Sequence, residues 1–376
     1  MSFSSFGLSE TLLETLNSLN ITEAYPIQKE VIPAILQKKD VLGIAKTGSG
    51  KTVAYVLPVI MNRQGIKNTR NRFADVLVLV PTRELAIQVS EVFKRFSQRL
   101  PEQIKIMAVF GGVSVNPQMK AMLGVNILVA TPGRLLELTA SKAVDISDTD
   151  TLVLDEADKM LNQGFKDDLI RIIALLPKKR QNLLFSATLS DDLRSMKQLL
   201  LHNPSVINID EEKNPADFIN QSAYYVTEEK KGPLLRYLIK SKEMKQVLIF
   251  TSSVHRADRV AGKLFKNGID AHSVHSKKSQ GARTDLLTKF KHGKIRVLVA
   301  TDLLARGIDI EFLPYVINYE LPRSPKDYIH RIGRTGRAES SGEAISLISP
   351  AEENHFKVIQ KKIGKRVTRI NGNEII

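Results

Sequence analysis

Several short runs of this chain, among them residues 76–80, 127–130, 152–154, 247–250 and 297–300, are apolar at every position. A strand with one face in water alternates apolar and polar residues. Runs without alternation predict strands buried on both faces, as in parallel sheets covered by helices. Segments with helical spacing lie between them, for example 84–96, 192–201 and 256–265. Strands alternating with helices imply right-handed crossovers and an α/β fold built on open sheets.

The series is too long for one core. At 376 residues, two domains are expected. Around residues 209–217 the text becomes IDEEKNPAD, polar and without periodicity. A linker is expected there, between a domain at 1–208 and a second at 218–376, each a mostly parallel β-sheet flanked by helices. The halves do not repeat each other's motifs.

The formal charge of +15 divides unevenly, +4 up to Asp210 and +11 beyond it. Such an excess attracts a polyanion. A membrane surface is disfavoured, because no run approaches the roughly 20 apolar residues of a span. Nucleic acid is the expected partner. There is no cysteine, which excludes disulfides and cysteine-ligated zinc or iron–sulfur sites. The opening MSFSSFGLSE has no basic stretch followed by an apolar run, so a cytoplasmic protein is expected.

Residues 41–45 read as a strand that runs into Lys46-Thr47-Gly48-Ser49-Gly50-Lys51-Thr52 and then a helix. Strand, glycine loop and helix in that order form a phosphate cradle. Gly48 and Gly50 let backbone N–H groups turn inward. Lys51 can reach the β and γ phosphates, and the Thr52 hydroxyl can ligate Mg2+. Ala45 stands where the usual pattern has its first glycine. A hundred residues on, the run 152–154 ends in Asp155-Glu156-Ala157-Asp158. Asp155, at a strand tip, suits a second Mg2+ contact, and Glu156 is placed to orient or deprotonate the attacking water.

With these residues the chain resembles a DEAD-box helicase over residues 3–356. Further matching segments are PIQ (26–28), PTRELA (81–86), Gly111-Gly112, TPGR (131–134), SAT (186–188), VATD (299–302), RGIDI (306–310) and HRIGRTGR (330–337). The resemblance implies two RecA-like domains and an ATP-dependent, RNA-stimulated motor. It would act as a monomer, closing on a duplex to separate a few base pairs without processive travel. Gln28 would read the adenine edge, selecting ATP, since an amide offers paired donor and acceptor. Lys51, Asp155, Glu156, Arg334 and Arg337 would be catalytic, the two arginines serving as fingers supplied by the second domain. Ala45, Lys46, Thr47, Ser49, Gly307 and Asp309 complete the implied nucleotide set, with Asp309 on the ribose. Ser186, Thr188 and His330 would couple the domains. Thr82, Arg83, Gly112, Thr131 and Arg134 in the first domain and Gln280, Arg283 and Thr301 in the second would contact RNA. Hydroxyls, arginines and glycine backbone are phosphate and sugar contacts, so little base preference is expected. With no Trp and 6% aromatic residues, backbone tracking should dominate over stacking. RNA rather than DNA rests on the resemblance. An ATP-gated clamp with slow hydrolysis and a DNA-directed motor stay open as alternatives.

The chain departs from the family pattern in places. Ile21 replaces an aromatic that stacks on adenine, Ala24 and Tyr25 replace Pro and Thr, and Lys46 adds a cation expected to face solvent. His272 and His275 are not expected to bind metal, and the basic residues of 357–369 are expected on a helix end. The first nine residues resemble the bacterial RhlE-like branch.

Overall fold

The structure is a computed structural model that describes residues 2–46, 48–65, 72–209, 219–301, 313–336 and 342–376. The chain divides into two compact units, Met1–Asp210 and Glu211–Ile376. The expected linker lies outside the described residues from position 210 onward.

The first unit holds β1 (Val41–Ile44), β2 (Val76–Leu79), β3 (Ile106–Val109), β4 (Ile127–Ala130), β5 (Thr151–Leu154), β6 (Gln181–Ser186) and β7 (Ser205–Asn208), in spatial order β3-β4-β2-β5-β6-β1-β7. The second holds β8 (Ile219–Tyr225), β9 (Val247–Thr251), β10 (Ala271–Val274), β11 (Val297–Thr301), β12 (Tyr315–Asn318), β13 (Gly342–Ile348) and β14 (Thr368–Asn371), in order β10-β11-β9-β12-β13-β8-β14. Every strand pairing in the two sheets is parallel. Counted from the start of each unit, both sheets run 3-4-2-5-6-1-7. The halves share a chassis although they share no motif.

The all-apolar runs are central strands, as their lack of alternation requires. In β2, Val76 and Val78 join the core beneath the helices Pro26–Leu36, Lys51–Arg63 and Arg83–Ser97, while Leu77 and Leu79 join the core on the other face. Burying both faces contributes about 1.5–3 kcal/mol for each Val or Leu before chain entropy is subtracted. Each strand must hand over to its helix within a few residues, and a hydroxyl marks several of these junctions. Thr82, Ser190, Ser253, Ser279 and Ser324 each accept a hydrogen bond from the backbone N–H three residues on. Such a cap contributes about 1 kcal/mol.

The basic tail differs from expectation. The helix Glu353–Ile363 stops at Gly364, whose φ of +68° no side chain favours. Lys361 and Lys362 sit in its last turn, Lys365 and Arg366 follow the glycine, and Arg369 lies on β14, its guanidinium 3.9 Å from the Tyr225 ring centroid.

Candidate functional site

Parallel strands put all their C-terminal ends on one edge of the sheet, the edge where open α/β sheets bind ligands. The order β5-β6-β1 therefore brings together three segments far apart in sequence. The glycine loop follows β1, Asp155 and Glu156 follow β5, and Ser186 ends β6.

Within the loop, Gly48 and Gly50 take φ of +81° and +84°, values that only glycine adopts at no cost. The Lys51 ammonium donates to the carbonyls of Ala45 and of Lys46, the latter at 2.6 Å, and the Ser49 hydroxyl donates to the Lys46 carbonyl at 2.8 Å. Burial pushes the Lys51 ammonium below the usual lysine range, against the upward pull of Asp155 and Glu156. Lys46 itself is exposed. Gln28 is 1% exposed, its Nε2 donating to the Gly50 carbonyl at 3.1 Å and its Oε1 accepting from the Tyr25 N–H at 2.8 Å. The amide expected at the adenine edge is thus fastened to the phosphate loop, with one donor and one acceptor position left over. Ile21 packs against the apolar core, whereas Tyr25 is 48% exposed beside Gly50. Thr47 lies outside the described residues.

Asp155 is buried, and two donors hold it. The Tyr55 hydroxyl donates to Oδ2 at 2.9 Å and the Glu156 N–H to Oδ1 at 2.9 Å. Burial first, and then the charge of Glu156, push the Asp155 carboxyl up to about 6. Glu156 takes a left-handed backbone, φ +52° and ψ +44°, at the start of the helix Ala157–Asn162. For a non-glycine residue this costs of order 1–3 kcal/mol, and such strain gathers at functional sites. Its Oε1 accepts from the Lys159 ammonium at 2.6 Å, while Oε2 is buried without a hydrogen-bond partner. The Thr188 hydroxyl donates to Asp158 Oδ2 at 2.8 Å, and Ser186 Oγ bonds the Thr188 carbonyl and N–H, tying the β6 segment to the acidic one. Sequence reasoning missed Tyr55 and Lys159. Lys159 carried a spacing signal, three residues after Glu156, whereas the partner of Tyr55 is Asp155, 100 residues away, and no local spacing pointed to it.

The candidate nucleic-acid contacts hang from the neighbouring strands β3-β4-β2 of the same edge. Thr82 caps its helix, and the Arg83 guanidinium reaches the Gly112 carbonyl at 3.5 Å. Thr131 precedes the helix Pro132–Ala140, within which Arg134 donates from Nε to Glu137 at 2.6 Å and from Nη2 to the Val113 carbonyl at 2.8 Å. Its third nitrogen, Nη1, is buried with no partner.

The second unit repeats this arrangement. Gln280 and Arg283 open the helix after β10 and are hydrogen-bonded to each other, and Thr301 ends the adjacent β11. Arg283 is 5% exposed, more enclosed than a surface phosphate contact would require. His330 lies in the helix Pro325–Ile332 between β12 and β13, and buried Arg334 follows it. Arg331 is spent inside, donating to Asn318 Oδ1 at 3.0 Å and the Glu320 carbonyl at 2.6 Å, over the Phe250 ring. His275 pairs with Asp258 at 2.9 Å and His272 with Asp270 at 3.0 Å, so the two histidines do not converge on one another. Gly307, Asp309 and Arg337 lie outside the described residues.

The sequence matches the DEAD/DEAH box helicase pattern over residues 25–196 and the helicase conserved C-terminal domain over 229–339. It is 39% identical over 366 residues to the ATP-dependent RNA helicase CshA of Listeria monocytogenes, covering 97% of this chain and 69% of that one. A DEAD box protein from the hyperthermophile Methanococcus jannaschii is 34% identical, with 99% of both chains covered and a TM-score of 0.56. Dbp5 of S. cerevisiae bound to RNA and ADP BeF3 is 29% identical, covering 100% of this chain and 96% of that one, with a TM-score of 0.83. Two RecA-like units and identity of this extent have one common explanation: the chain belongs to the DEAD-box ATP-dependent RNA helicase family.

Proposed function

We propose that this chain is an RNA-stimulated ATPase that separates short stretches of RNA duplex locally when its two units close together. The observation that carries this reading is the division of the sheet edge. Nucleotide-type groups stand on β5-β6-β1, and phosphate- and sugar-type groups stand beside them on β3-β4-β2. Ligands on adjoining loops of one rigid edge each bias the same closure, which is the requirement for mutual stimulation.

Lys51 and the inward N–H groups of the glycine loop bind the triphosphate, and Gln28 and Tyr25 stand where the base would lie. Glu156 orients the attacking water. Arg334 and Arg337 approach the γ phosphate on closure, Gly307 and Asp309 meet the ribose, and His330 couples to Ser186 and Thr188. Thr82, Arg83, Gly112, Thr131, Arg134, Gln280, Arg283 and Thr301 carry the RNA backbone. The residues fit Mg2+: Thr52 and Asp155 are hard oxygen donors, and each Asp155 oxygen accepts one hydrogen bond, leaving a lone pair. The ion would neutralise charge developing on the phosphates. Among the described residues no helix is long and apolar enough to cross a membrane. The absence of cysteine fits a reducing cytoplasm, and the protein is proposed to act there as a monomer.

Steady-state ATP hydrolysis with and without RNA, alongside displacement of a labelled strand from a short RNA duplex, tests this directly. The reading requires stimulation by RNA and release of the strand. Turnover indifferent to RNA, or stimulation by DNA alone, would overturn it.

A further inference from the structure

Lys159 has no role in the function proposed so far, yet it makes a short polar contact with Glu156. Its ammonium lies 2.6 Å from Oε1, and the two side chains are only 7% and 13% exposed. The same i,i+3 spacing on the surface, as in Lys94 with Glu91 at 50% and 57% exposed, contributes little because both side chains must be immobilised out of water. Here the protein has already immobilised them. The left-handed backbone at Glu156 fixes where its side chain leaves the chain, and the helix that begins one residue later fixes Lys159. With both ends placed, the ammonium holds the carboxylate by Oε1. In that orientation Oε2 is buried without a hydrogen-bond partner, an expensive condition for a charged oxygen unless something outside the folded chain completes it.

We propose that Lys159 is a positioning residue for the hydrolytic step, holding Oε1 so that Oε2 is the oxygen presented to the attacking water. The role rests on the proposed function of Glu156 and adds to it the group that fixes its geometry. Lys159 acts by keeping a carboxylate from rotating, and a misplacement of about 1 Å can cost on the order of a hundredfold in rate. The nearby Lys51 is a separate cation, engaged with the Ala45 and Lys46 carbonyls, so the two lysines divide the work of binding and aiming.

The test compares Lys159→Met, Lys159→Arg and Lys159→Gln in the full chain, with Glu156→Gln and the double variant Lys159→Met/Glu156→Gln. Saturating RNA is present throughout, and a fluorescent ATP analogue reports binding. Lys159→Met is expected to lower kcat by roughly tenfold to a hundredfold, within the range of one misaligned acid–base group, while KM for ATP and analogue affinity change less than about threefold. Lys159→Arg should recover most of the loss. Adding Lys159→Met to Glu156→Gln should cost nothing further, because the partner it aims is already disabled. Should Lys159→Met fail to fold, Lys159→Gln, which stays polar but lacks the charge and the reach to Oε1, carries the same expectations. Wild-type kcat in Lys159→Met, an equal loss of analogue binding, or full additivity in the double variant would each overturn the proposal. Wild-type kcat in Glu156→Gln would instead remove Glu156 from the proposed chemistry.

Discussion

The Tyr55 hydroxyl donates to Asp155 Oδ2 at 2.9 Å across a sequence separation of 100 residues, joining the helix behind the glycine loop to the tip of β5. Both groups are buried. Burial drives the Asp155 carboxyl up to about 6 from an ordinary 3.8, and the Tyr55 hydrogen bond opposes that rise. The folded chain therefore binds a proton that the unfolded chain has released between about pH 4 and 6. Asp155's contribution to stability is full below that window and lost as pH rises through about 6, amounting to roughly 3 kcal/mol. Tyr55→Phe removes a donor to the charged form and should cost about 1–3 kcal/mol at pH 8, and less at pH 5. Hydrogen exchange of the β5 amides in the full chain at both pH values measures it. Equal losses at both would show that the hydroxyl does not serve the carboxylate.

Two adjacent glycines offer a paired test of the nucleic-acid edge. A Cβ on Gly112, whose φ is +74°, would run into the Arg83 guanidinium, whereas one on Gly111 meets nothing within 4 Å. Gly112→Ala should displace Arg83 and weaken RNA binding by about tenfold, the scale of one charge-assisted hydrogen bond. Gly111→Ala should stay within about twofold. Fluorescence anisotropy with a labelled RNA strand at fixed salt reads both, and neither should alter ATP-analogue binding.

Removing the loop lysine and the acidic residue should separate binding from hydrolysis. Lys51→Ala deletes the ammonium seated on the Ala45 and Lys46 carbonyls and is expected to weaken ATP binding by about tenfold to a hundredfold. Glu156→Gln keeps the shape and loses the charge. Turnover should fall by roughly a hundredfold or more, while ATP and RNA stay bound together. A Glu156→Gln protein that releases RNA as fast as wild type on adding ATP would contradict this.

The second unit contains its own pH lever. Lys231 is fully buried and lies 2.5 Å from Glu352, which also accepts from the Ser349 hydroxyl and N–H. Burial alone would raise the Glu352 carboxyl, but Lys231 and Ser349 outweigh it and hold it below the usual glutamate range. A depressed carboxyl contributes stability above the ordinary value, near 4.3, and loses it as pH falls through its folded value. Lys231→Met should cost about 3–5 kcal/mol at pH 7, as when one partner of a buried pair is deleted, and less at pH 3. Hydrogen exchange of the β13 amides in the full chain follows the loss.

The strands and the glycine loop were legible because their signals are local. An all-apolar run such as 76–80 can be buried in few other ways, and two left-handed glycines before Lys51 have few other uses. Tyr55 and Lys159 were not. The spacing of Lys159 is visible in the sequence, but helix positions facing an unseen carboxylate read like any others until the partner's burial is known. Gln28 was noticed for its amide, yet its attachment to the Gly50 carbonyl depends on how the helix Pro26–Leu36 packs beside Lys51–Arg63. The basic residues of 357–369 are expected on a helix end, and Gly364 divides them between a helix and an edge strand.

That both sheets share one strand order bears on stoichiometry. The slot after β8 corresponds to the slot after β1, but it holds Val226 and Thr227 with no glycine, and its helix opens with Glu228 and Glu229 instead of Lys51 and Thr52. Glu228 there already holds Arg256 at 2.7 Å and Lys231 at 3.5 Å, so this helix start presents an ion-paired carboxylate where its twin presents a lysine and a hydroxyl to an anion. The duplicated framework therefore carries different side chains at the position where symmetry would have created a rival pocket, and a titration of the chain with nucleotide is expected to saturate at a single equivalent.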